Sequence, residues 1–198
     1  MNKPLVLGIT GGMGSGKTTA ARYFERQFGI PVFYADAEAK KLYELPGVRR
    51  AIENIVGKDV YNAQGKPDFR LIASRIFPDE NLLRRVEKVL HPEVRKAFLK
   101  WKSEQCMPYI ILENAILFET GMDALCDAVL LIEADERQRI NRIRERDGLP
   151  ESAIRDRLQY QNKKTLKKDK INFKVENSGS VKDLHDELNK IHRILLNK

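Results

Sequence analysis

The sequence predicts an α/β protein with a mainly parallel sheet of five strands and helices on both faces. Short apolar runs recur along the chain, and helical patterns rather than hairpin turns separate them, as in a parallel sheet with crossover helices. The runs cover residues 5–10, 31–35, 109–112, 128–132 and 173–175. The last helical pattern has apolar residues at steps of four, three and four, and this stripe is expected to pack on the sheet: Leu184, Leu188, Ile191 and Leu195.

The long stretch between the second and third runs is almost wholly helical in pattern and predicts a helical lobe on the sheet. Within it, Pro92 suits the first turn of a new helix that His91-Pro92 opens. The stripe that follows, Val94, Phe98 and Trp101, is expected to pack in a core. With 198 residues, 42% of them hydrophobic, the chain has the length and apolar content of one domain.

Positive charge predicts a polyanionic partner. Lys and Arg number 36 against 28 for Asp and Glu, a net charge of +8, but charge alone does not distinguish a nucleic acid, an anionic membrane and a polyphosphate cofactor. No apolar run approaches the length that spans a bilayer, and residues 4–9 are too short for a signal peptide, so a cytoplasmic protein is expected. Cys106 and Cys126 are expected to be buried thiols, and His185 and His192 surface residues.

A glycine-rich segment follows the first apolar run and precedes a helical pattern. It fits G-x-x-x-x-G-K-[ST], the P-loop, whose backbone N–H groups surround phosphates at a helix N-terminus. In this pattern Lys17 reaches the β- and γ-phosphates of ATP and the Thr18 hydroxyl ligates Mg²⁺. The predicted nucleotide-binding residues are therefore Gly11, Gly12, Met13, Gly14, Ser15, Gly16, Lys17, Thr18 and the adjoining Thr19.

Asp36 ends the second apolar run and is the candidate for binding the phosphoryl acceptor. Carboxyl ends of parallel strands share one edge of a sheet, so Asp36 is expected near the loop, where it could accept the proton of an acceptor hydroxyl. The alternative is an N-cap for a helix over residues 37–45. Glu113 and Glu119 near the third strand lack the apolar-run-then-Asp form of a metal-holding carboxylate.

Residues 135–170 are rich in arginine and lysine and predict a lid over the nucleotide. Arg142 and Arg146 lie four apart and share a helical face, and guanidinium groups match phosphate oxygens. Acidic residues are interspersed, so a solvated charged face is the alternative for any single arginine. The predicted divisions are a core of residues 1–36, 106–134 and 171–198, a lobe at about 37–105 and this lid.

Taken together, several motifs resemble those of the dephospho-CoA kinase family, in order along nearly the whole chain. Besides the loop they are Ala35-Asp36-Ala37, Leu90-His91-Pro92, Ile116-Leu117-Phe118-Glu119, Gln138 with Arg142 and Arg146, Gln161, and Glu176-Asn177-Ser178-Gly179-Ser180. The sequence departs from the family pattern at Tyr34, Ala115 and Ile171-Asn172, and no role is assigned to Asn172. None of these departures touches the loop or Asp36.

The resemblance implies ATP-dependent, Mg²⁺-dependent phosphorylation of the ribose 3′-hydroxyl of dephospho-CoA, by a protein with the fold of the nucleoside monophosphate kinases. It implies a CoA-binding helical lobe and a lid, with Asp36 and Lys17 as catalytic residues. Arg142 would act with them and, like Arg146 and Asn177, would bind the nucleotide. His91 could contact substrate or cap a helix.

Two other functions stay open from the sequence. One is a small P-loop kinase with another hydroxyl acceptor, such as a nucleoside, a nucleotide or a shikimate-like compound. The other is a nucleic-acid-binding or regulatory nucleotide-binding module, but no basic stretch with interleaved aromatic residues is present. The partners that the resemblance implies are ATP and dephospho-CoA, without nucleic acid or membrane. The sequence does not report the oligomeric state.

Overall fold

The computed structural model describes residues 3–148, 150–162 and 167–197, without the side chains of residues 156, 157 and 159–162. The side chain of Gln161, one of the residues that carry the family resemblance, therefore lies outside the described part of the structure. The chain divides into two compact units, one formed by Met1–Tyr34 with Lys102–Lys198 and the other by Ala35–Trp101.

The first unit contains one sheet of five strands. They are β1 (Leu5–Gly11), β2 (Val32–Tyr34), β3 (Tyr109–Glu113), β4 (Ala128–Glu133) and β5 (Phe173–Glu176). The strand order is β2-β3-β1-β4-β5 and every pairing is parallel, which confirms the predicted fold class. Because every pairing is parallel, all strands end at the edge of the sheet where the glycine-rich segment begins after β1.

Eight α-helices lie between these strands or after the last one in the described parts of the chain. They are α1 (Lys17–Phe28), α2 (Ala35–Leu42), α3 (Pro46–Val56), α4 (Phe69–Ile76), α5 (Glu80–Ser103), α6 (Glu136–Asp147), α7 (Glu151–Asn162) and α8 (Val181–Leu196). Among these described residues, no helix is both long and apolar enough to cross a membrane.

The core of the first unit lies between the sheet and the helices α1 and α8. The predicted stripe of α8 is buried there, and Leu188 is fully enclosed with Phe24 of α1 and Ile9 of β1. A capping box starts α8, because the Ser180 hydroxyl accepts from the Asp183 backbone N–H while the Asp183 carboxylate accepts from the backbone N–H of Ser180. The packing of α8 on the sheet is therefore as predicted.

The two histidines of α8 are half-buried against aromatic rings, so the prediction that they are surface residues holds only in part. His185 stacks on the Tyr23 ring with centroids 3.9 Å apart, and His192 stacks on Phe28 at 3.7 Å. The Nδ1 atom of His192 also lies 2.7 Å from the hydroxyl of the buried Tyr109. The seven-residue spacing that suggested a solvated face places both rings along α1 instead.

The second unit has its own apolar core, built by α3, α4 and the first half of α5. Ile52 and Val86 are almost completely buried in it. The prediction that Pro92 opens a helix is wrong, because α5 continues through it. Proline removes one backbone hydrogen bond, but Leu90 and Val94 on either side of it are buried, and this packing keeps the helix continuous. Val94 and Phe98 pack in the interior, as expected.

The two cysteines occupy different environments. Cys106 is exposed, contrary to the expectation of a buried thiol, because it lies in the segment that joins α5 to β3. Cys126 is largely enclosed beside Gly8, and burial raises the pKa of its thiol to about 12. Asn172, to which the sequence assigned no role, pairs with Val129 through both its side chain and its backbone N–H and so aligns the start of β5 with β4.

Candidate nucleotide site at the carboxyl edge of the sheet

Residues 11–18 run from the end of β1 through a turn into the start of α1, as the motif predicts. Lys17, Thr18 and Thr19 are the first three residues of α1, so their backbone N–H groups belong to the unpaired first turn of the helix. Gly16 has φ of +98°, and a Cβ atom there would overlap the amide nitrogen of Asn177. Only glycine fits this position, both because of its left-handed backbone and because Asn177 packs directly against it.

Asn177 joins the segment after β5 to the loop. It is buried, and its side-chain amide donates to the Ser15 carbonyl oxygen over 2.8 Å. Its own carbonyl oxygen accepts from Nη2 of Arg142 at 2.9 Å. The predicted nucleotide-binding residues Asn177 and Arg142 therefore lie together against the back of the loop.

Arg142 and Arg146 do not share one environment. The Arg142 guanidinium lies 3.4 Å from the Gly14 carbonyl oxygen and 3.5 Å from that of Ser15, and Gln138 accepts another of its protons. Arg146 instead has 63% of its side chain exposed and pairs with the neighbouring Asp147. The structure brings Arg142 to the loop, and it does not bring Arg146 there.

Glu113, which the sequence reasoning set aside, is the last residue of β3 and is buried. Its carboxylate accepts a hydrogen bond from the Thr18 hydroxyl at 3.0 Å. The signal was present, because an apolar run over residues 109–112 ends directly in this acid. A hydroxyl and a carboxylate are the hard oxygen donors that Mg²⁺ prefers, so Thr18 and Glu113 fit the ion that the motif implies.

A cavity of about 330 Å³ opens beside the first half of the loop. Gly11, Gly12 and Ser15 line it on one side, and Phe118 and Glu119 on another. The Ser15 hydroxyl is buried and has no hydrogen-bond partner among the described residues. An unpartnered hydroxyl is costly to bury, so this atom marks a place where a polar ligand would add a missing hydrogen bond. A bound phosphate group supplies such acceptors.

Arg139 is the second residue that sequence reasoning did not single out. Its Nε atom donates to the Met13 carbonyl oxygen at 2.9 Å, and its side chain lines the cavity. Burial lowers the pKa of Arg139 below its ordinary value, against the opposing effect of Glu136 and Glu133. A guanidinium starts so high on the pH scale that it keeps its charge at neutral pH.

Asp36 and His91 belong to the second unit. Asp36 is the second residue of α2, which begins at Ala35, so the alternative of an N-cap for a helix starting at residue 37 is wrong. His91 lies in the middle of α5, which also excludes the helix-capping alternative for this residue. Among the described residues, no group of three or more His, Cys, Asp or Glu side chains forms a metal site by itself.

The strand order and the glycine-rich loop between the central strand and α1 define a P-loop kinase. A family model described as dephospho-CoA kinase matches residues 5–183. The chain belongs to the dephospho-CoA kinase family. This confirms the resemblance that its motifs indicated.

Relatives and solved structures agree with this assignment. A dephospho-CoA kinase of Porphyromonas gingivalis is 39% identical over 155 residues, covering 78% of this chain and 76% of the relative. One of Acinetobacter baylyi is 33% identical and covers 97% of this chain and 98% of its own length. The crystal structure of a Thermus thermophilus protein superposes with a TM-score of 0.82 at 30% identity and covers 98% of this chain and 99% of its own.

The fold is shared more widely than the sequence. A shikimate kinase from Bacteroides thetaiotaomicron superposes with a TM-score of 0.60 at 12% identity, over 97% of this chain and 98% of its own. At this identity the likeness concerns the fold alone. It explains why the loop did not by itself distinguish among small P-loop kinases.

Proposed function

We propose that the protein transfers the γ-phosphoryl group of ATP to the ribose 3′-hydroxyl of dephospho-CoA, giving CoA and ADP. The observation that carries the proposal is the glycine-rich loop of this family member. Asn177 and Arg142 both contact the carbonyl oxygen of Ser15 in this loop, while the Ser15 hydroxyl has no hydrogen-bond partner among the described residues. Both substrates are polyanionic small molecules, so the proposal also accounts for the net charge of +8 without nucleic acid or membrane.

In the proposed reaction the loop binds and orients ATP. The backbone N–H groups from Gly12 to Thr19 would surround its phosphates, and the Lys17 ammonium would bind the β- and γ-phosphates. Arg142 would add positive charge next to the loop, where it already contacts two loop carbonyl oxygens. Thr18 and Glu113 would hold Mg²⁺, which supplies neutralisation of phosphate charge when bound.

The residue that binds the phosphoryl acceptor is assigned from its position in the chain. Asp36 comes two residues after Tyr34, which ends β2 and lies beside Glu113 in the sheet register. We propose that its carboxylate orients the 3′-hydroxyl and takes its proton as the new oxygen–phosphorus bond forms and the bond from the γ-phosphorus to the β–γ bridging oxygen breaks. His91 is proposed to bind the same substrate.

A lid formed by residues 135–170 is part of the proposal. Its helices α6 and α7 share a small apolar cluster with Met13 of the loop, and Lys167 and Lys170 near its end pair with the buried Asp123. These contacts connect both ends of the segment to other residues of the first unit. The proposed nucleotide contact of Arg146 requires the guanidinium to leave its pair with Asp147.

The test of the proposed function is acceptor profiling with purified protein. With ATP and Mg²⁺ present, ADP release is measured after addition of dephospho-CoA, a nucleoside, a nucleoside monophosphate or shikimate, and the product is located by phosphorus NMR. We expect turnover with dephospho-CoA and a new 3′-phosphomonoester. Equal or faster turnover with another acceptor, or none with dephospho-CoA, would contradict the proposal.

The Asp36→Asn variant tests the acceptor side. It keeps the size of the side chain and removes the proton acceptor, so kcat should fall by at least about 100-fold while the Kd of ATP stays the same. Glu38→Gln, the same charge change on the same helix, is the matched control and should keep wild-type turnover. Near-normal turnover of Asp36→Asn would show that the carboxylate has no catalytic part.

A further inference from the structure

Helix α6 crosses the first half of the loop at Arg139. The Nε atom of Arg139 donates to the Met13 carbonyl oxygen, and a Cβ atom at Gly12 would lie 2.5 Å from its Nη2 atom. At Gly14, the nearest atom to such a Cβ would be the Arg139 carbonyl oxygen, 2.7 Å away. The guanidinium therefore rests directly on the loop at Gly12 and Met13, which is possible because Gly12 has no side chain.

Arg139 and Arg142 cover different halves of the loop. Arg142 contacts Gly14 and Ser15, which lead into α1, and reaches Asn177. Arg139 contacts Gly12 and Met13, which follow β1, and it lines the cavity that opens there. One turn of α6 thus carries two guanidinium groups to two separate stretches of loop backbone.

The half of the loop beneath Arg139 is where the terminal phosphate is expected. In a P-loop the backbone N–H groups and the helix N-terminus hold the α- and β-phosphates, while the lysine reaches on to the β- and γ-phosphates. The γ-phosphate therefore lies away from the start of α1, toward the beginning of the loop. The acceptor hydroxyl also has to approach it from open space, and the cavity beside Gly11 and Gly12 provides that space.

The charges that line the cavity also favour a γ-phosphate position next to Arg139. Carboxylates line it at Glu119, Glu133, Asp135 and Glu176, and Arg139 is the basic residue in its described lining. These acids repel a phosphate group, so an adjacent cation is needed for one to enter. The Arg139 guanidinium is half-buried and is held by its hydrogen bond to the backbone, so it is preorganised to bind a phosphate group. Because it is half-buried, little bulk water has to be displaced when the phosphate binds.

We infer that Arg139 contacts the γ-phosphoryl group during transfer and is a further catalytic residue of this enzyme. The inference rests on the proposed function. As the bond between the γ-phosphorus and the bridging oxygen breaks and the bond to the acceptor oxygen forms, negative charge spreads over the equatorial oxygens of the transferred group. Arg139 donates to these oxygens, the acceptor proton leaves to the carboxylate of Asp36, and the electron pair of the broken bond remains on ADP.

The experiment compares binding of two nucleotides that differ in the γ-phosphate. The Kd values of MgADP and of a non-hydrolysable Mg–ATP analogue are measured by titration calorimetry for the wild type, Arg139→Gln, Arg139→Lys and Arg137→Gln. Arg137 is exposed on the same helix, so its variant makes the same charge change away from the loop. Turnover with dephospho-CoA is measured for each protein in parallel.

We expect Arg139→Gln to weaken the ATP analogue about tenfold or more while ADP binding changes less than about twofold, since a charge-assisted contact to one phosphate group is lost. Its kcat should fall about 100-fold, Arg139→Lys should recover part of the analogue binding, and Arg137→Gln should match the wild type. Equal weakening of both nucleotides would overturn the inference, because Arg139 would then act only on loop shape. Unchanged binding and turnover would overturn it as well.

The comparison of ADP and ATP-analogue binding also distinguishes a failure of this inference from a failure of the proposed function. If the wild type fails to phosphorylate dephospho-CoA while Arg139→Gln still weakens only the ATP analogue, the acceptor assignment fails and the γ-phosphate contact stands. If dephospho-CoA is phosphorylated and the nucleotide difference is missing, the function stands and the assignment of Arg139 fails.

Discussion

Helices α6 and α8 both border the nucleotide loop or its strand, but different forces hold them. The apolar stripe of α8 is buried in the main core, where Leu188 is fully enclosed. Helix α6 buries only Ile140 and Ile143, in a small cluster with α7, and its other described contacts to the loop are hydrogen bonds from Arg139 and Arg142 to carbonyl oxygens. Phosphate oxygens can replace carbonyl oxygens, whereas nothing in a nucleotide replaces a core leucine. The difference makes α6 the helix suited to respond to substrate and α8 a fixed part of the fold.

The largest expected effect is on stability, when one buried residue of each helix is truncated. Leu188→Ala should lower the free energy of unfolding by about 2–5 kcal/mol, since it leaves a cavity in the main core. Ile143→Ala should cost less in global stability, because α6 and α7 can open locally, and should speed amide exchange in α6. Urea unfolding and hydrogen exchange measure both quantities. Equal losses of global stability in the two variants would contradict the claim that α6 is less firmly packed than α8.

The next effect concerns nucleotide binding and compares two of the arginines of α6. Arg142→Ala removes contacts to the carbonyl oxygens of Gly14, Ser15 and Asn177 and should weaken ATP binding by about 10- to 100-fold, the range for lost charge-assisted hydrogen bonds. Arg144→Ala is the matched control. Arg144 is exposed on the same helix and its guanidinium donates to the nearby Asn141 side chain, so the Kd of ATP should change less than about twofold in this variant. Titration calorimetry checks this, and similar losses in both variants would show that α6 binds nucleotide along its whole face.

The smallest expected effect is a pH dependence of the free energy of unfolding that comes from His192 of α8. Burial, followed by the charge of Arg193, lowers the pKa of His192, so the unfolded chain binds the proton more readily than the folded one. Stability should therefore fall as the pH drops below the ordinary histidine value of about 6.5, by no more than about 1.4 kcal/mol per pH unit for one proton. His192→Gln should flatten this part of the curve. Urea midpoints between pH 7.5 and 5.5 measure it, and an unchanged slope in the variant would assign the dependence elsewhere.

The sheet, the loop and the α8 stripe were predictable from sequence because each has a local pattern. The apolar runs of β1 and β3, the glycine spacing of residues 11–18 and the leucine steps of α8 depend on neighbours in the chain. Pro92 was misread for the complementary reason. Its local preference favours a helix start, whereas packing of Leu90 and Val94 in the folded lobe carries α5 through it.

The site was predictable where a motif fixes the residue and not where the fold selects among similar residues. The arginines of 135–146 have the same chemistry in sequence, and only the turn of α6 against the loop distinguishes Arg139 and Arg142 from Arg137 and Arg146. Glu113 was not predicted because the metal-holding pattern has an aspartate after the apolar run, although a glutamate at the same strand position offers the same carboxylate. The stacking of His192 on Phe28 depends on the approach of α1 and α8, which no spacing within α8 reveals.

The hydrogen bond from Asn177 to Ser15 joins residues 162 positions apart. During synthesis the loop leaves the ribosome early, long before β5 and the asparagine that supports it. The nucleotide site is therefore among the last parts of the molecule to be completed, and a nascent chain that stops short of β5 presents the loop without its support. The hydrogen bond that supports the loop at Ser15 can therefore form only after the chain has been translated through residue 177.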